Sequence, residues 1–419
     1  MPKTSIDIKQ FKLKALKWAS GFDAVCYLDT NSISDDYGRF DCLIAVGVKD
    51  EISPADGNAF EQLKAFRQKH QGYITGFFGY DLKNEIEQLT SANPDYLGFP
   101  DLYFFAPLHL IIVKNGEVEL QSDENILDEI NRQSISKSQP AVDLKLQSRF
   151  NKQEYLDAVT EIKAHIVRGD IYVTNFCQEF FAENTAIDPV DIFFRLNELS
   201  PNPLSSFFKW KDNYVLGASP ERFLAKRGDQ LISQPIKGTA RRGITATEDE
   251  AIKRELRNNT KEQQENVMVV DMVRNDLTRS AKQGSVKTEK LFDIQSFRQV
   301  HQMVSTVVCQ LDDEINAIDA IKNTFPMGSM TGAPKVSAMQ LMEQYERSKR
   351  GVYSGAIGYF DPNDDFDFNV VIRSLLYNAT DNYLSFHTGS AITYHADPEK
   401  EYEECLLKAK AIMEVLGQS

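Results

Sequence analysis

The stretch "NKQEYLDAVTEIKAHIVRGDIYVTNFCQEF", residues 151–180, places a helix pattern directly before a strand pattern. Asn151 and Glu154 form a capping-box pair, and apolar residues then recur at helical spacing over the next turns. Gly169 stands where such a helix should end. The run that follows, "IYVTNFCQEF", is typical of a strand. The stretch therefore predicts a helix that leads straight into a strand.

Outward from this stretch, strand and helix patterns occur in blocks rather than in strict alternation. Further strand-like runs are predicted at residues 24–30, 40–48, 73–80, 108–113, 213–219 and 229–236. Blocks of strands with helices set between them are typical of antiparallel sheets, whereas parallel sheets need regular alternation. The sequence therefore predicts an α+β architecture.

Two more helices have clear boundaries in the sequence. A long helical region is predicted over residues 247–277. The last helix is predicted to begin after Asp397 as its cap, with Pro398 in the first position, and to end before Gly417. A polar stretch over residues 131–150 lacks both patterns and is predicted to be a surface linker.

Composition excludes several classes of protein. The 419 residues carry a net charge of −14 without a basic tract, which argues against a nucleic-acid partner. The longest strongly apolar run, residues 108–113, is far too short to cross a membrane, and the N-terminus lacks a signal-peptide core. The six histidines show no metal-ligand spacing, which argues against a zinc site.

The five cysteines are far apart, odd in number and without a CxxC pair. Most of them lie in apolar runs, so we expect buried free thiols. Free thiols persist in a reducing compartment, and the sequence therefore predicts a cytoplasmic protein.

Three glutamates border apolar stripes on the predicted helices. Glu401 and Glu404 lie three residues apart near the start of the last helix, and Glu265 borders an apolar run in the long helical region. These side chains are either ordinary solvated glutamates or carboxylates that meet to hold a divalent ion such as Mg²⁺. Spacing alone leaves both readings open.

Three basic residues stand at unusual places. Lys237 lies between an apolar run and a Gly-Thr turn, which fits either a solvated loop charge or a functional amine. Lys335 follows a glycine-rich loop. The free backbone N–H groups of such a loop either bind an anion or belong to the first turn of a helix. Arg373 interrupts an apolar strand pattern, and a buried arginine needs a carboxylate from the protein or from a ligand.

Seven segments together resemble the chorismate-utilising enzymes, a family that includes anthranilate, isochorismate, salicylate and aminodeoxychorismate synthases. In chain order they are "SPERF", "PIKGT", "ENVMVVDMVRNDL", "FPMGSMTGAPKVSAM", "GVYSGAIGYF", "VVIRSL" and "DPEKEYEECLLKA". The resemblance covers residues 150–415, and "YGRFDCLIA" and "GFFGYDL" extend it more loosely toward the N-terminus.

This resemblance implies an α+β fold in which two antiparallel sheets pack as a sandwich with flanking helices. The N-terminal β-rich part, residues 1–145, should complete the sandwich of the chorismate-binding catalytic part, residues 146–419. The two parts are best treated as one intertwined unit.

Within the family, the lysine of Pro-Ile-Lys-Gly-Thr resembles the members that aminate chorismate at C4, whereas anthranilate synthases typically carry alanine there. The resemblance implies that Lys237 attacks C2 of chorismate, the C4 hydroxyl departs, and ammonia then adds at C4 and displaces the lysine. A lysine nucleophile must be neutral, so we expect burial or a neighbouring cation to lower its pKa.

The resemblance also implies roles for the other candidates. Glu221 is the expected general acid for the C4 hydroxyl, and Glu265 and Glu404, with Glu401 nearby, are the expected Mg²⁺ ligands. The expected substrate-binding residues are Arg373 and Tyr353 for the enolpyruvyl carboxylate, Gly389 through its backbone N–H, Lys335 through its charge, and Thr239.

A separate glutamine amidotransferase subunit is the implied source of ammonia. Two positions depart from the family pattern: Val173, where ammonia-using relatives often have Gln, and Gln302, where His is usual. Two alternatives stay open: C2 amination, as in anthranilate synthases, and a non-catalytic chorismate-binding regulatory subunit.

Overall fold

The computed structural model describes residues 7–55, 57–135 and 144–417. The central part of the predicted linker, residues 136–143, lies outside these ranges. In the described ranges the helices are α1 (Ile8–Ala19), α2 (Ala59–Lys69), α3 (Lys83–Glu87), α4 (Leu127–Arg132), α5 (Lys152–Arg168), α6 (Pro189–Leu199), α7 (Ala246–Asn258), α8 (Thr260–Thr278), α9 (Ala317–Thr324), α10 (Lys335–Tyr345) and α11 (Pro398–Val415).

The strands of the described ranges cover the predicted strand-like runs and several more. They are β1 (Ala24–Asp29), β2 (Cys42–Ile52), β3 (Ile74–Phe78), β4 (Leu102–Lys114), β5 (Glu117–Gln121), β6 (Gln147–Ser148), β7 (Val173–Ala182), β8 (Leu204–Trp210), β9 (Asn213–Ser219), β10 (Arg222–Arg227), β11 (Gln230–Gln234), β12 (Ile236–Arg241), β13 (Lys287–Ser296), β14 (Val300–Gln310), β15 (Gly332–Ala333), β16 (Ala356–Phe360), β17 (Phe366–Asn369), β18 (Ser374–Asn378) and β19 (Tyr383–Ile392).

All strand pairings among these elements are antiparallel, and they link the strands into one continuous network. Its order is β6-β7-β19-β18-β9-β8-β1-β2-β4-β3-β16-β17-β10-β11-β14-β13, with β5 beside β4, β12 beside β14 and β15 beside β7. The long strand β4 pairs with both β2 and β3. It therefore joins two halves of the network, one that runs from β6 to β2 and one that runs from β3 to β13.

The network folds back on itself, and its two halves enclose an aromatic core. Phe77 of β3 packs edge-on against Phe208 of β8, with ring centroids 5.3 Å apart. Ala45, Leu231 and Phe368 belong to the same buried cluster and come from β2, β11 and β17. The predicted sandwich of antiparallel sheets is therefore confirmed.

Helices cover the outer face of one half of the network. Leu16 of α1, Val159 of α5, Phe193 of α6 and Ala409 of α11 form a second buried cluster with Val25 of β1. Neighbouring residues of β1 alternate between the two clusters, as the period of two along a strand requires. The predicted flanking helices are confirmed as well.

Strands from the N-terminal region pair with strands from later in the chain. β1 pairs with β8, and β3 pairs with β16. The division at residues 145/146 stays a prediction, but these ladders bind early and late segments into the same network.

The sequence signals at two helix ends are confirmed. Asn151 and Glu154 form the complete capping box of α5, and Gly169 ends that helix in the left-handed conformation at φ 86°. Asp397 caps α11, which begins at Pro398.

The helical region predicted over residues 247–277 is present but divided, because it breaks at Asn259 into α7 and α8. The Asn259 side chain accepts hydrogen bonds from the backbone N–H groups of Lys261 and Glu262. Asparagine competes for backbone donors in this way and favours helix starts over helix interiors. The break sets the direction of α8 and of the carboxylates on it.

All five cysteines are free and buried, as predicted. None of the described helices combines the length and the apolar character that crossing a membrane requires.

Candidate active site

Lys237 lies on β12, which pairs with β14 and contacts α8. The ladder is interrupted between Ile236 and Thr239, so that Lys237 and Gly238 form a local irregularity of the strand. Gly238 has φ +104°, and a Cβ there would lie 3.2 Å from both Glu262 and Met303. Only glycine combines this backbone conformation with so close an approach of α8. The turn fixes where the lysine side chain leaves the strand.

Two helices bring carboxylates to Lys237. On α8, Oε2 of Glu265 lies 3.2 Å from Nζ of Lys237, and both side chains are largely buried. On α11, Glu404 acts electrostatically on the same ammonium group. Lys237 is therefore under the influence of carboxylates from two helices, Glu265 on α8 and Glu404 on α11.

Sequence reasoning missed Glu262, which precedes Glu265 by one helical turn and also acts on Lys237. The sequence does contain a pattern that indicates Glu262, because "EQQE" on α8 repeats the Glu-x-x-Glu spacing of Glu401 and Glu404 on α11. Each helix thus presents a pair of carboxylates on one side.

The pKa of Lys237 is raised, so the expected lowering is wrong for this arrangement. Burial lowers the pKa, but the negative charges of Glu265, Glu404 and Glu262 outweigh burial. The lysine is held as an ammonium ion among carboxylates.

The α11 carboxylates differ from each other in charge environment. Burial raises the pKa of Glu404, but the ammonium groups of Lys408 and Lys237 outweigh burial and lower it to about 2. Lys408 Nζ lies 2.6 Å from the Glu404 carboxylate. Burial raises the pKa of Glu401, which accepts a hydrogen bond from Ser390.

The donor chemistry of this cluster fits a hard divalent ion. Within the described ranges, no three His, Cys, Asp or Glu side chains gather into a complete metal-binding group. Mg²⁺ needs fewer protein ligands, since it takes one or two carboxylates and completes its shell with water and substrate oxygens. Glu265 and Glu404, which both face Lys237, meet that requirement. Their assignment as Mg²⁺ ligands, with Glu401 nearby, stays a prediction.

Glu221 lies in the turn between β9 and β10 and is only 5% exposed. Burial raises its pKa to about 7, while the Ser329 hydroxyl and the Lys237 ammonium act in the opposite direction. Its backbone is fixed because its carbonyl accepts a hydrogen bond from Val370 N–H and its N–H donates to Ser219 Oγ. The carboxyl can therefore hold a proton near neutral pH.

Arg373 lies at a bend just before β18, with φ +52°, rather than inside a strand. Its Nη1 donates a long hydrogen bond of 3.4 Å to the Lys408 carbonyl. In the part of the chain that the structure describes, no carboxylate oxygen lies within ion-pair distance of the guanidinium. Burial lowers the pKa of Arg373, and the Tyr353 and Glu404 side chains act against this. The arginine is available to a carboxylate ligand.

Tyr353 is 3% exposed and stacks on His387, with ring centroids 4.9 Å apart. Burial raises the pKa of its hydroxyl well above the ordinary value. Burial also lowers the pKa of His387 to about 4, so the stacked imidazole is neutral at pH 7. The Tyr353 hydroxyl is therefore protonated at neutral pH, and the side chain acts electrostatically on Arg373.

Two further predicted residues are placed around the same cluster. The Gly389 carbonyl accepts a hydrogen bond of 2.8 Å from Lys408 Nζ, and a Cβ at Gly389 would lie 2.7 Å from Cys177 Sγ. Thr239 is exposed on β12, two residues after Lys237. Their substrate-binding roles stay predictions.

Lys335 is not available as a free positive charge for a ligand. Its Nζ donates to the Asp276 carboxylate at 2.7 Å and to the carbonyls of Thr324 and Pro326 at 3.2 and 2.9 Å. An ammonium group has three donors, and all three are used. The loop before α10 is therefore fastened to α8 by Lys335. The substrate-binding role of Lys335 stays a prediction.

A family model described as "chorismate binding enzyme" matches residues 25–414. The chain belongs to this family. The match includes every candidate residue of the site and almost all of the strand network.

Individual relatives fall in two branches of the family. The chain is 34% identical over 368 residues to aminodeoxychorismate synthase component 1 of Bacillus subtilis, covering 83% of this chain and 78% of the relative. It is 31% identical over 399 residues to anthranilate synthase component 1 of Cereibacter sphaeroides, covering 86% and 79%. These similar identities place the chain among chorismate-utilising enzymes without choosing the branch.

A solved structure supports the same conclusion. Anthranilate synthase component I from Streptococcus pneumoniae superposes with a TM-score of 0.80 at 26% identity, covering 91% of this chain and 93% of that one. The chain therefore shares its overall fold with that structure.

Proposed function

We propose that this chain is the chorismate-aminating component of an aminodeoxychorismate synthase, which makes 4-amino-4-deoxychorismate for p-aminobenzoate and folate synthesis. The observation that supports this branch is Lys237, whose amine lies beside Glu265 in the site rather than in solvent. Family members that aminate at C2 typically carry alanine in its place.

Lys237 is proposed to form a covalent bond to C2 of chorismate. Attack requires the neutral amine, because only the free electron pair on Nζ can form the new bond. Since the surrounding carboxylates raise the pKa of Lys237, its ammonium group must lose a proton before it attacks. As that bond forms, electrons shift through the ring, the C4 hydroxyl takes up a proton and leaves as water, and the bonded Nζ releases one of its own protons. Ammonia then bonds to C4 and the lysine departs, so nitrogen ends at C4 rather than C2.

Glu221 is proposed to protonate the departing hydroxyl at C4. A general acid works best when its pKa lies near the operating pH. The pKa of about 7 leaves a substantial fraction of Glu221 protonated in neutral solution.

Arg373 and Tyr353 are proposed to bind the enolpyruvyl carboxylate. Arg373 has no carboxylate within ion-pair distance in the described ranges, and the Tyr353 side chain acts electrostatically on it. A charge-assisted bond of this kind fixes the substrate relative to Lys237. Glu265 and Glu404, with Glu401 nearby, are proposed to hold Mg²⁺, which when bound would neutralise and orient the ring carboxylate.

The ammonia is proposed to come from a separate glutamine amidotransferase subunit. Relatives in both branches are named as component 1 of their enzymes, which supports a second component. We propose a cytoplasmic location on the basis of the free buried thiols.

The proposal is tested by incubating the protein with chorismate, Mg²⁺ and an ammonium salt and identifying the product by chromatography. We expect 4-amino-4-deoxychorismate from the wild type and none from Lys237→Ala. The matched control is Lys261→Ala, because Lys261 is the other lysine paired with Glu265, at 3.5 Å, but is mostly exposed. It should keep the product.

Anthranilate synthase component I is the second candidate, because relatives of that branch match at similar identity and with a shared fold. Anthranilate as the product would establish it. Tight chorismate binding without turnover would instead indicate a regulatory subunit.

A further inference from the structure

Strand β19 packs against α11, and two side-chain contacts fix the helix along the strand. Thr388 Oγ1 lies 2.7 Å from Cys405 Sγ. Two residues further along the strand, the Ser390 hydroxyl donates a hydrogen bond to Oε2 of Glu401. Alternate residues of a strand point to the same face, so both contacts lie on the helix side of β19. The part of α11 that carries the proposed Mg²⁺ ligands is therefore fastened to the sheet.

The contact between Ser390 and Glu401 is shielded from water. Ser390 is completely buried, and Glu401 is only 6% exposed. A hydrogen bond to a carboxylate is charge-assisted, and it is stronger in such surroundings than in solvent. Among the described residues, the Glu401 side chain has no other hydrogen-bond or ion-pair partner. A serine hydroxyl carries a single proton, so it engages Oε2 and leaves Oε1 of Glu401 free.

Glu404, one helical turn later, is held in a similar way. Lys408 Nζ lies 2.6 Å from Oε1 of Glu404 and also donates to the Gly389 carbonyl of β19 at 2.8 Å. Oε2 of Glu404 has no hydrogen-bond or ion-pair partner in the part of the chain that the structure describes. The ammonium group of Lys237 acts electrostatically on both Glu401 and Glu404. Each α11 carboxylate thus keeps one oxygen for a cation bound near the proposed nucleophile.

A carboxylate with one free oxygen binds a cation through a single contact. Mg²⁺ needs only one or two such contacts, because it keeps several waters in a strict octahedral shell. Ca²⁺ takes about 6–8 oxygens, and a carboxylate that chelates it supplies two of them at once. Holding one oxygen of Glu401 on Ser390 therefore disfavours Ca²⁺ more than Mg²⁺.

We propose, as an extension of the proposed Mg²⁺ site, that Ser390 is a positioning residue that orients Glu401 and makes the site select Mg²⁺ over Ca²⁺. The Ser390 hydroxyl holds Oε2 and leaves only Oε1 for the ion. The proposal rests on the proposed function, because that function assigns the ion to these carboxylates. The hydrogen bond is present before chorismate binds, so its effect on metal binding is measurable without substrate.

The proposal is tested by isothermal titration calorimetry with magnesium chloride, and separately with calcium chloride, in the absence of chorismate. Ser390→Ala removes the hydroxyl and frees Oε2 of Glu401. We expect the Kd for Mg²⁺ to rise roughly tenfold, the effect of one lost charge-assisted hydrogen bond, while the Kd for Ca²⁺ does not rise. Ser390→Thr keeps a hydroxyl on the same carbon and should retain the preference of the wild type for Mg²⁺.

Ser385→Ala is the matched control, because Ser385 lies on the opposite face of the same strand and donates at 2.7 Å to Oε1 of Glu179. Ser385 is completely buried and Glu179 is 2% exposed, so this variant also loses a buried bond between a hydroxyl and a carboxylate. The two alanine variants should have similar Tm values, both below that of the wild type. Ser385→Ala should leave the Kd values for both ions unchanged.

An unchanged preference for Mg²⁺ over Ca²⁺ in Ser390→Ala would overturn the proposal. An equal loss of Mg²⁺ affinity in Ser385→Ala would overturn it too, because the effect would then follow from destabilising β19. A wild-type protein that binds no Mg²⁺ would refute the proposed metal site together with this proposal. The product formed from chorismate is identified separately by chromatography, so the proposed amination stands or falls on a different measurement.

Discussion

Nζ of Lys237 and Oε2 of Glu265 lie 3.2 Å apart, the amine on a strand and the carboxylate on a helix. The contact joins the proposed nucleophile to a proposed Mg²⁺ ligand. It depends on the close approach of α8 to the Gly238 turn, so the nucleophile and the carboxylate cluster are positioned by the same local packing.

Gly238→Ala should lower both stability and activity. The φ of +104° disfavours any side chain, and the new Cβ would lie 3.2 Å from Glu262 and Met303. We expect a loss of about 2 kcal/mol in the free energy of unfolding, measured by denaturant titration, and a lower kcat.

Gly228→Ala is the matched control for that variant. Gly228 also has positive φ, +59°, but a Cβ there would have nothing within 4 Å. It should cost about 1 kcal/mol and leave kcat unchanged. Equal losses of unfolding free energy and equal kcat values in the two variants would show that the close approach of α8 to Gly238 affects neither stability nor activity.

Glu221→Gln should change how stability depends on pH. Burial raises the pKa of Glu221 from 4.5 to about 7, so the folded protein binds this proton more tightly than the unfolded chain. That contribution to stability is complete below pH 4.5 and is lost as pH rises through 7. The Tm of the variant relative to wild type should therefore rise between pH 5 and pH 8.

The exposed Glu250 provides the control, because Glu250→Gln should show the same pH trend as wild type. Activity gives a second measurement. Without the general acid, Glu221→Gln should lose roughly 100-fold or more in kcat. A variant that keeps its kcat would contradict the assigned role of the carboxyl group.

Lys335→Met should destabilise the protein without weakening chorismate binding. It leaves the Asp276 carboxylate, whose side chain is 9% exposed, without its cation. Breaking a buried pair by removing one partner costs about 3 kcal/mol. The check is denaturant unfolding together with the KM for chorismate.

The exposed pair of Arg274 and Asp271 on the same helix supplies the comparison. Arg274→Gln should cost less than about 1 kcal/mol, because exposed ion pairs contribute little. An increase in the KM for chorismate in Lys335→Met at unchanged stability would restore the predicted substrate-binding role of Lys335.

The fold could be predicted where the signals were local. The capping box of α5 and the Asp397-Pro398 start of α11 are read from neighbouring residues, and both are confirmed. The break at Asn259 was missed, although the Asn259 side chain caps α8 and no apolar residue lies between Leu256 and Val267.

The sequence names the candidate site residues but does not predict the electrostatics around them. The motif around Lys237 indicated a functional lysine, yet its raised pKa depends on carboxylates from α8 and α11 that only the fold brings together. The contacts of Lys335 were not predicted, for a similar reason. Its partner Asp276 is 59 residues away in sequence, and the glycine-rich pattern next to Lys335 does not indicate that contact.

The most direct test of the central claim is intact-protein mass spectrometry after incubation with chorismate and Mg²⁺ in the absence of ammonia, followed by peptide mapping. We expect an added mass equal to chorismate minus one water, located on Lys237 and absent from Lys237→Ala. Conversion of chorismate to an aminated product on adding ammonium, without any adduct on Lys237 in the wild type, would contradict covalent catalysis by this lysine.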